Sequence, residues 1–210
     1  MISVIIPVFN GAKYLDECLS SVPVSDTEII VVNDDSTDNS AEIAKKYADH
    51  VINIEHSGPV IARNMGLKNA NGDYVVFMDA DDVLKENAIT IMKQEIGDFD
   101  VVIGLRADFV SPDCTQSNSE TKTSSHGVIA GCAMIKKSIF EQVGAFDEDL
   151  LCGDGYEWLL RAKKNNIKIK EINDVLCMRR IHDSNMGKTM GMREKTDYVK
   201  IIKKHFMGKK

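Results

Sequence analysis

The densest chemistry in this 210-residue chain lies in Asp79-Ala80-Asp81-Asp82. Three carboxylates in four residues repel one another unless a cation sits among them. Oxygen-only ligands suit Mg2+ or Mn2+, and such an ion can also hold two phosphate groups of a nucleotide. Asp82 reads equally as the N-cap of the following helix, whereas a single cap leaves the Asp79/Asp81 pair unexplained. Further polar groups collect in Phe9-Asn10-Gly11 and in Asn33-Asp34-Asp35-Ser36-Thr37-Asp38.

These groups need elements to bring them together, and the flanking apolar runs supply them. Ile2 to Val8, Ile29 to Val32, Val51 to Ile54, Tyr74 to Met78 and Val101 to Ile103 have strand length. Helical spacing separates them: Tyr14 to Val22, Asn39 to Tyr47, a helix opening at Gly58-Pro59, and Lys85 to Ile96. Strands this apolar are buried on both faces, which predicts a mostly parallel α/β sheet with Rossmann-like winding. In such sheets ligands bind beyond the carboxyl ends of the strands, and those ends carry the polar clusters.

The second half is less regular. Residues 111–127 read as a long polar loop or a mobile hairpin on the surface, Val128 to Ile135 as a strand, and Ser138 to Val143 and Tyr156 to Lys164 as helices. Ile167 to Ile172 and Val175 to Ile181 read as two more strands. Residues 183–192, with two glycines and three methionines, suit a flap. Tyr198, Ile201, Ile202 and Phe206 define one apolar face of a C-terminal helix.

A net charge of −6 argues against non-specific nucleic-acid binding. It divides unevenly, with +5 on residues 193–210 and −11 on the rest. No apolar stretch approaches the ~20 residues of a membrane-spanning helix. The N-terminus lacks a secretory pattern, and five scattered cysteines suit free thiols, so the expected location is cytoplasmic.

Four segments, Ser3 to Gly11, Glu28 to Asp38, Ala62 to Gly66 and Gly72 to Asp82, resemble in order and spacing the successive motifs of the family 2 glycosyltransferases. The resemblance covers almost the whole chain. It implies a GT-A fold: a mostly parallel central sheet flanked by helices, with a small second β element and a C-terminal helix. It also implies a nucleotide-diphosphate sugar donor, UDP-linked, and transfer with inversion to a glycan, lipid-linked or protein-linked acceptor. The chain then reads as a single domain with a nucleotide-binding half at 1–106, an acceptor and catalytic half with a flap at 107–192, and a basic helix at 193–210.

The resemblance assigns roles residue by residue. Pro7, Val8, Phe9 and Asn10 would line the base and ribose pocket, Asp34 would accept the uracil NH, and Arg63 would lie near the base or diphosphate. Asp79, Ala80 and Asp81 form the DxD motif, with Asp81 the direct ligand of Mn2+ or Mg2+ and Asp79 a ribose or water-mediated partner. His182 would complete the metal site, and Arg180 or Lys188 would neutralise the leaving group. Gly131 and Cys132 would border the donor hexose, and Trp158 would either stack on an acceptor sugar or belong to the core.

Two departures stand out. Asp35 occupies a position where the family often has glycine. In Gly153-Asp154-Gly155-Tyr156-Glu157 the family's usual base position falls on Gly155, so either Asp154, whose flanking glycines allow close approach, is the base, or Glu157 is, or the base is lost. Two other classes compete. A non-catalytic sugar-nucleotide-binding module would explain the altered base motif, and a phosphorelay receiver would share the acidic strand ends, but this chain has no acidic pair after strand 1, which ends in Pro7-Val8-Phe9-Asn10. The basic C-terminal helix either packs on the domain or makes peripheral contact with an anionic membrane.

Overall fold

A computed structural model describes residues 1–115, 125–126, 131–185 and 192–207. The chain runs β1 (Ile2–Val8), α1 (Ala12–Ser20), β2 (Thr27–Asp34), α2 (Ser40–Ala44), β3 (His50–Ile54), α3 (Pro59–Asn69) and β4 (Tyr74–Phe77). It continues with β5 (Val83–Leu84), α4 (Ala88–Ile96), β6 (Val101–Val110), β7 (Ser125–His126), β8 (Ala133–Lys136) and α5 (Ile139–Val143). The last elements are α6 (Asp154–Lys164), β9 (Ile169–Ile181) and α7 (Met192–Phe206).

The strands form one sheet in the order β3-β2-β1-β4-β8-β6-β9-β5, with β7 attached to β6. The β3-β2-β1-β4 pairings are parallel, and β1, β2 and β4 are buried as their apolar runs predict, whereas β3 lies at the sheet edge and is only partly buried. Alternate β1 residues feed the two core layers. Ile2, Val4, Ile6 and Val8 pack with α1 and α4, while Ile5 faces α3, α5 and α6. Gly66 lets α3 lie against β1, because a Cβ there would sit 2.3 Å from Ile5 Cγ2.

The second half corrects several expectations. The fifth strand does not join β4. β8 enters between them, antiparallel to both β4 and β6. β8 starts at Ala133, and residues 127–130 lie outside the described set. The two expected strands across 167–181 are one strand, β9, parallel to β6 with extra residues bulged out around Gly104 and Leu105. α2 stops at Ala44, and β5 occupies the expected start of α4. Asp82 is not a cap, since Asn87 precedes α4.

α7 is also turned differently. Of its four apolar positions only Ile201 is buried, while Tyr198, Ile202 and Phe206 are exposed. Two of its lysines, about half exposed, still reach the domain through their head groups. Lys200 meets Asp197 and the Asp149 carbonyl, and Lys204 meets Asp147 and Glu157. No described helix is long and apolar enough to cross a membrane.

Candidate active site

Parallel pairing brings the carboxyl ends of β1, β2 and β4 to one rim, and Asp79 to Asp82 follow β4 directly. Asp82 is buried and its Oδ1 accepts the Arg180 backbone N–H at 3.0 Å, which ties the end of β9 to this loop. Burial, with Asp79 and Asp81 nearby, pushes its carboxyl well above the usual range. Two residues after Arg180, His182 Nε2 lies 2.9 Å from Asp81 Oδ2. The His182 ring is held on several sides. Its Nδ1 is 2.9 Å from Ser184 Oγ, and the Tyr14 ring stacks 4.7 Å away. Asn185 Oδ1 accepts the His182 backbone N–H at 2.6 Å, and Asn185 Nδ2 reaches Asp81 Oδ2 at 3.3 Å. Burial and Asp79 raise the Asp81 carboxyl, against the pull of His182.

Arg63 links this cluster to the second half. α3 opens with Gly58 at φ +91° and Pro59 in its first turn, which places Arg63 one turn in, beneath the rim. Its Nη2 donates to Asp79 Oδ1 at 2.8 Å and its Nη1 to Asp154 Oδ2 at 2.9 Å. Burial disfavours the guanidinium charge, but Asp154 and Asp79 outweigh it and raise the pKa further. Asp154 is the first residue of α6, and the capping position before it is Gly153 at φ +74°.

At the end of β2, Asp34 is 2% exposed and turned inward. Its oxygens accept the Ser57 N–H at 2.7 Å and the Gly58 N–H at 2.9 Å, with His56 Nδ1 3.1 Å away. The Phe9 ring stacks on His56 with centroids 4.2 Å apart and is 49% exposed. Asn10, at φ +49°, joins the two loops: its N–H donates to Ser36 Oγ and its Oδ1 accepts the Thr37 N–H. Asp35 takes φ +61°, a left-handed conformation that glycine adopts without cost and aspartate tolerates, which accounts for the departure at this position.

The family model described as Glycosyl transferase family 2 matches residues 3–144. The chain belongs to glycosyl transferase family 2. It is 30% identical over 213 residues to an uncharacterized glycosyltransferase of Rickettsia typhi, covering 90% of this chain and 66% of that protein. It is 40% identical over 115 residues to the glycosyltransferase GlyG of Streptococcus pneumoniae, covering 50% and 38%. It thus spans less than two thirds of either relative. Among solved structures it is similar to Staphylococcus aureus TarS 1-349 in complex with UDP-GlcNAc, with a TM-score of 0.70 and 23% identity over 88% of this chain and 59% of that one. It is also similar to a Pyrobaculum calidifontis mannosyltransferase in complex with GDP-Man and Mn2+, with a TM-score of 0.71 and 19% identity over 100% and 65%. The fold is the GT-A arrangement, mostly parallel with antiparallel insertions.

Within this family 2 domain the structure brings together Asp79, Asp81, His182, Arg63 and Asp154 and separates other expected residues from them. Glu157 is fully buried, and Arg161, Lys204 and His205 take its oxygens, so it faces α7 and is no candidate base. Trp158 is 0% exposed, packs on Phe140 and donates to the Gly144 carbonyl, so it belongs to the core and not to an acceptor platform. Arg180 is buried against Tyr14 and Phe109 and bound to Glu17 and the Asp81 carbonyl, which leaves no guanidinium face for a leaving group. Cys132 is buried in the core, while Gly131, at φ +70°, packs so closely on Cys177 that no side chain would fit. Pro7 and Val8 are buried in β1 beneath the exposed Phe9. Lys188 and residues 186–191 of the expected flap lie outside the described residues.

His56, Asn185 and Tyr14 were not singled out by sequence reasoning. The one available signal was Asn185, three residues beyond a histidine at a strand end.

Proposed function

We propose that the chain transfers a sugar from a UDP-linked donor to a hydroxyl of a glycan or glycoconjugate acceptor, with inversion at the anomeric carbon and Asp154 as general base. The observation that supports this reading is the Asp79–Arg63–Asp154 bridge, in which one guanidinium contacts both Asp154 of α6 and the first aspartate of the DxD motif.

Among the described residues no three His, Cys, Asp or Glu side chains converge to hold a metal ion alone. Asp81 and His182 offer one oxygen and one nitrogen, which suits an ion whose remaining ligands are water and substrate phosphates. Asp81 and His182 would hold Mn2+ or Mg2+, which would supply positive charge against that of a leaving diphosphate. Phe9 and His56 offer an aromatic surface for the base, and Asp34 holds the His56 loop in place rather than meeting the uracil directly. Arg63 fixes the Asp154 carboxylate, whose role is to accept the proton of the attacking hydroxyl.

Calorimetric titration of UDP with and without Mn2+ tests binding: affinity is expected to rise about tenfold or more with metal. Asp154→Asn is expected to lower transfer about 10²- to 10⁴-fold with UDP affinity unchanged. Loss of both together, or neither, would count against the assignment. A non-catalytic binding module would bind UDP yet show no transfer in the unaltered chain.

A cytoplasmic location, with the outer face of α7 near a membrane that carries the acceptor, belongs to the same proposal. Val199, Ile202 and Phe206 are exposed there beside Lys203. Co-sedimentation with anionic vesicles at low salt checks it, and a chain that stays in the supernatant rules it out.

A further inference from the structure

Asp197 sits on α7 and is 2% exposed, although carboxylates are rarely buried without partners that replace water. Its partners lie mostly outside its own helix. Oδ2 accepts the Leu151 backbone N–H at 2.9 Å and lies 3.9 Å from Cys152 Sγ, while Oδ1 accepts Lys200 Nζ at 2.8 Å. Leu151-Cys152-Gly153 is the turn that leads directly into Asp154. α7 presses on the same turn with an apolar side chain: a Cβ on Gly153 would lie 3.0 Å from Ile201 Cδ1. Lys200 adds a bond to the Asp149 carbonyl. On its other side the turn meets the head of α3, where a Cβ on Gly58 would be 3.8 Å from Leu151 Cδ2, and Gly58 is itself held by Asp34.

We propose that Asp197 is a positioning residue: through the Leu151 amide it fixes the turn that sets Asp154 against Arg63. The inference rests on the reading of Asp154 as the base. Without this bond the turn loses its hydrogen-bonded tie to α7 through the Leu151 amide and rests on packing such as that of Ile201, Tyr198 and Gly58, and Gly153 gives it little stiffness of its own. The carboxylate would then drift relative to a bound acceptor, and small misplacements cost rate without weakening donor binding.

Asp197→Ala is expected to lower kcat about tenfold or more, with UDP affinity and donor KM within about twofold. Asp197→Asn keeps an oxygen that can accept the Leu151 N–H and should recover most of that loss. Amide exchange gives a second readout that is independent of activity. In Asp197→Ala the Leu151 amide should exchange at least about tenfold faster, while β1 and β2 amides keep their protection. Unchanged kcat together with unchanged Leu151 exchange overturns the proposal. So does a matching loss of UDP affinity, which would indicate general damage. If the unaltered chain transfers no sugar, the functional reading fails, and the exchange result alone decides whether Asp197 holds the turn. Should Asp197→Ala fail to fold, Lys200→Ala removes the outer half of the clamp at an exposed position. It is expected to lower kcat about threefold and speed Leu151 exchange, and no change in either overturns the proposal.

Discussion

Arg63 carries two carboxylates on one guanidinium, so its loss unbalances both ends of the site. Arg63→Ala leaves Asp79 and Asp154 without their shared cation and is expected to cost about 3 kcal/mol in chemical denaturation, the low end for a broken buried pair because Asp79 is partly solvated. Transfer should fall with it even where Mn2+ is saturating. Trp158→Ala is expected to cost about 4 kcal/mol by leaving a cavity among Phe140, Phe146 and Leu159. A saccharide-dependent quench of Trp158 fluorescence in the native protein would contradict its burial. These two residues also mark what residue types reveal. Asp79 and Asp81 could be chosen because their chemistry has few structural uses at the end of a buried strand, whereas Arg63, on α3, and His182 stood out through the family resemblance. Trp158, Arg180 and Glu157 carry equally useful chemistry, but which way a helical or terminal side chain points depends on neighbours far away in the chain. For Glu157 the deciding neighbours are His205 and Lys204, some fifty residues on.

Among the elements, α3 matters most because it carries Arg63 and its head is gripped by Asp34. Gly66→Ala would drive a methyl into Ile5 and shift this helix. The expected cost is about 2 kcal/mol by denaturation, accompanied by weaker UDP-dependent thermal stabilisation because the rim moves with α3. β1, β2 and β4 could be read from sequence since a parallel strand buried on both faces is a continuous apolar run, and β3, the partly exposed edge strand, through its shorter apolar run. The second half resisted for a physical reason. β8 has only four residues, and its direction is set by pairing with both β4 and β6, neither adjacent to it in sequence. The bulge that merges the last two expected strands arises where a Cβ on Gly104 would collide with Leu176, a contact between distant segments. Apolar periodicity cannot report either.

For the molecule as a whole, the −11 body and +5 tail are partly reconciled by α7, whose Lys204 meets Asp147 and Glu157 of the body, while Lys200 pairs with Asp197 on α7 itself. Burial opposes ionisation of all three acids, yet their hydrogen bonds prevail and hold their carboxyls below ordinary values. The groups around Glu157 are Arg161, Lys204 and His205, and burial likewise fails to stop Lys204 from being raised by Asp147 and Glu157. A depressed carboxyl stabilises fully above its unfolded pKa near 4 and loses that contribution as pH falls through the folded value. Lys204, being raised, contributes fully below about 10 and loses it above. α7 should therefore stay docked through neutral pH and loosen first in acid. NMR amide shifts of residues 196–206 should move between pH 5 and 2.5 before those of β1, and simultaneous movement would disprove a separate clamp.

The placement of β8 also bears on how the chain is made. As residues 101–110 leave the ribosome, β6 has no partner among the strands already formed, because the position beside β4 is reserved for residues that emerge later. Until Ala133–Lys136 arrives, the nascent chain carries an open β4 edge and an unpaired apolar strand, both prone to intermolecular pairing. A fragment ending at residue 106 should consequently aggregate when expressed alone, whereas one extended through Lys164 should remain in the supernatant after centrifugation. Synthesis thus passes through a window, about thirty residues long, in which this protein depends on chaperones more than its finished fold would suggest.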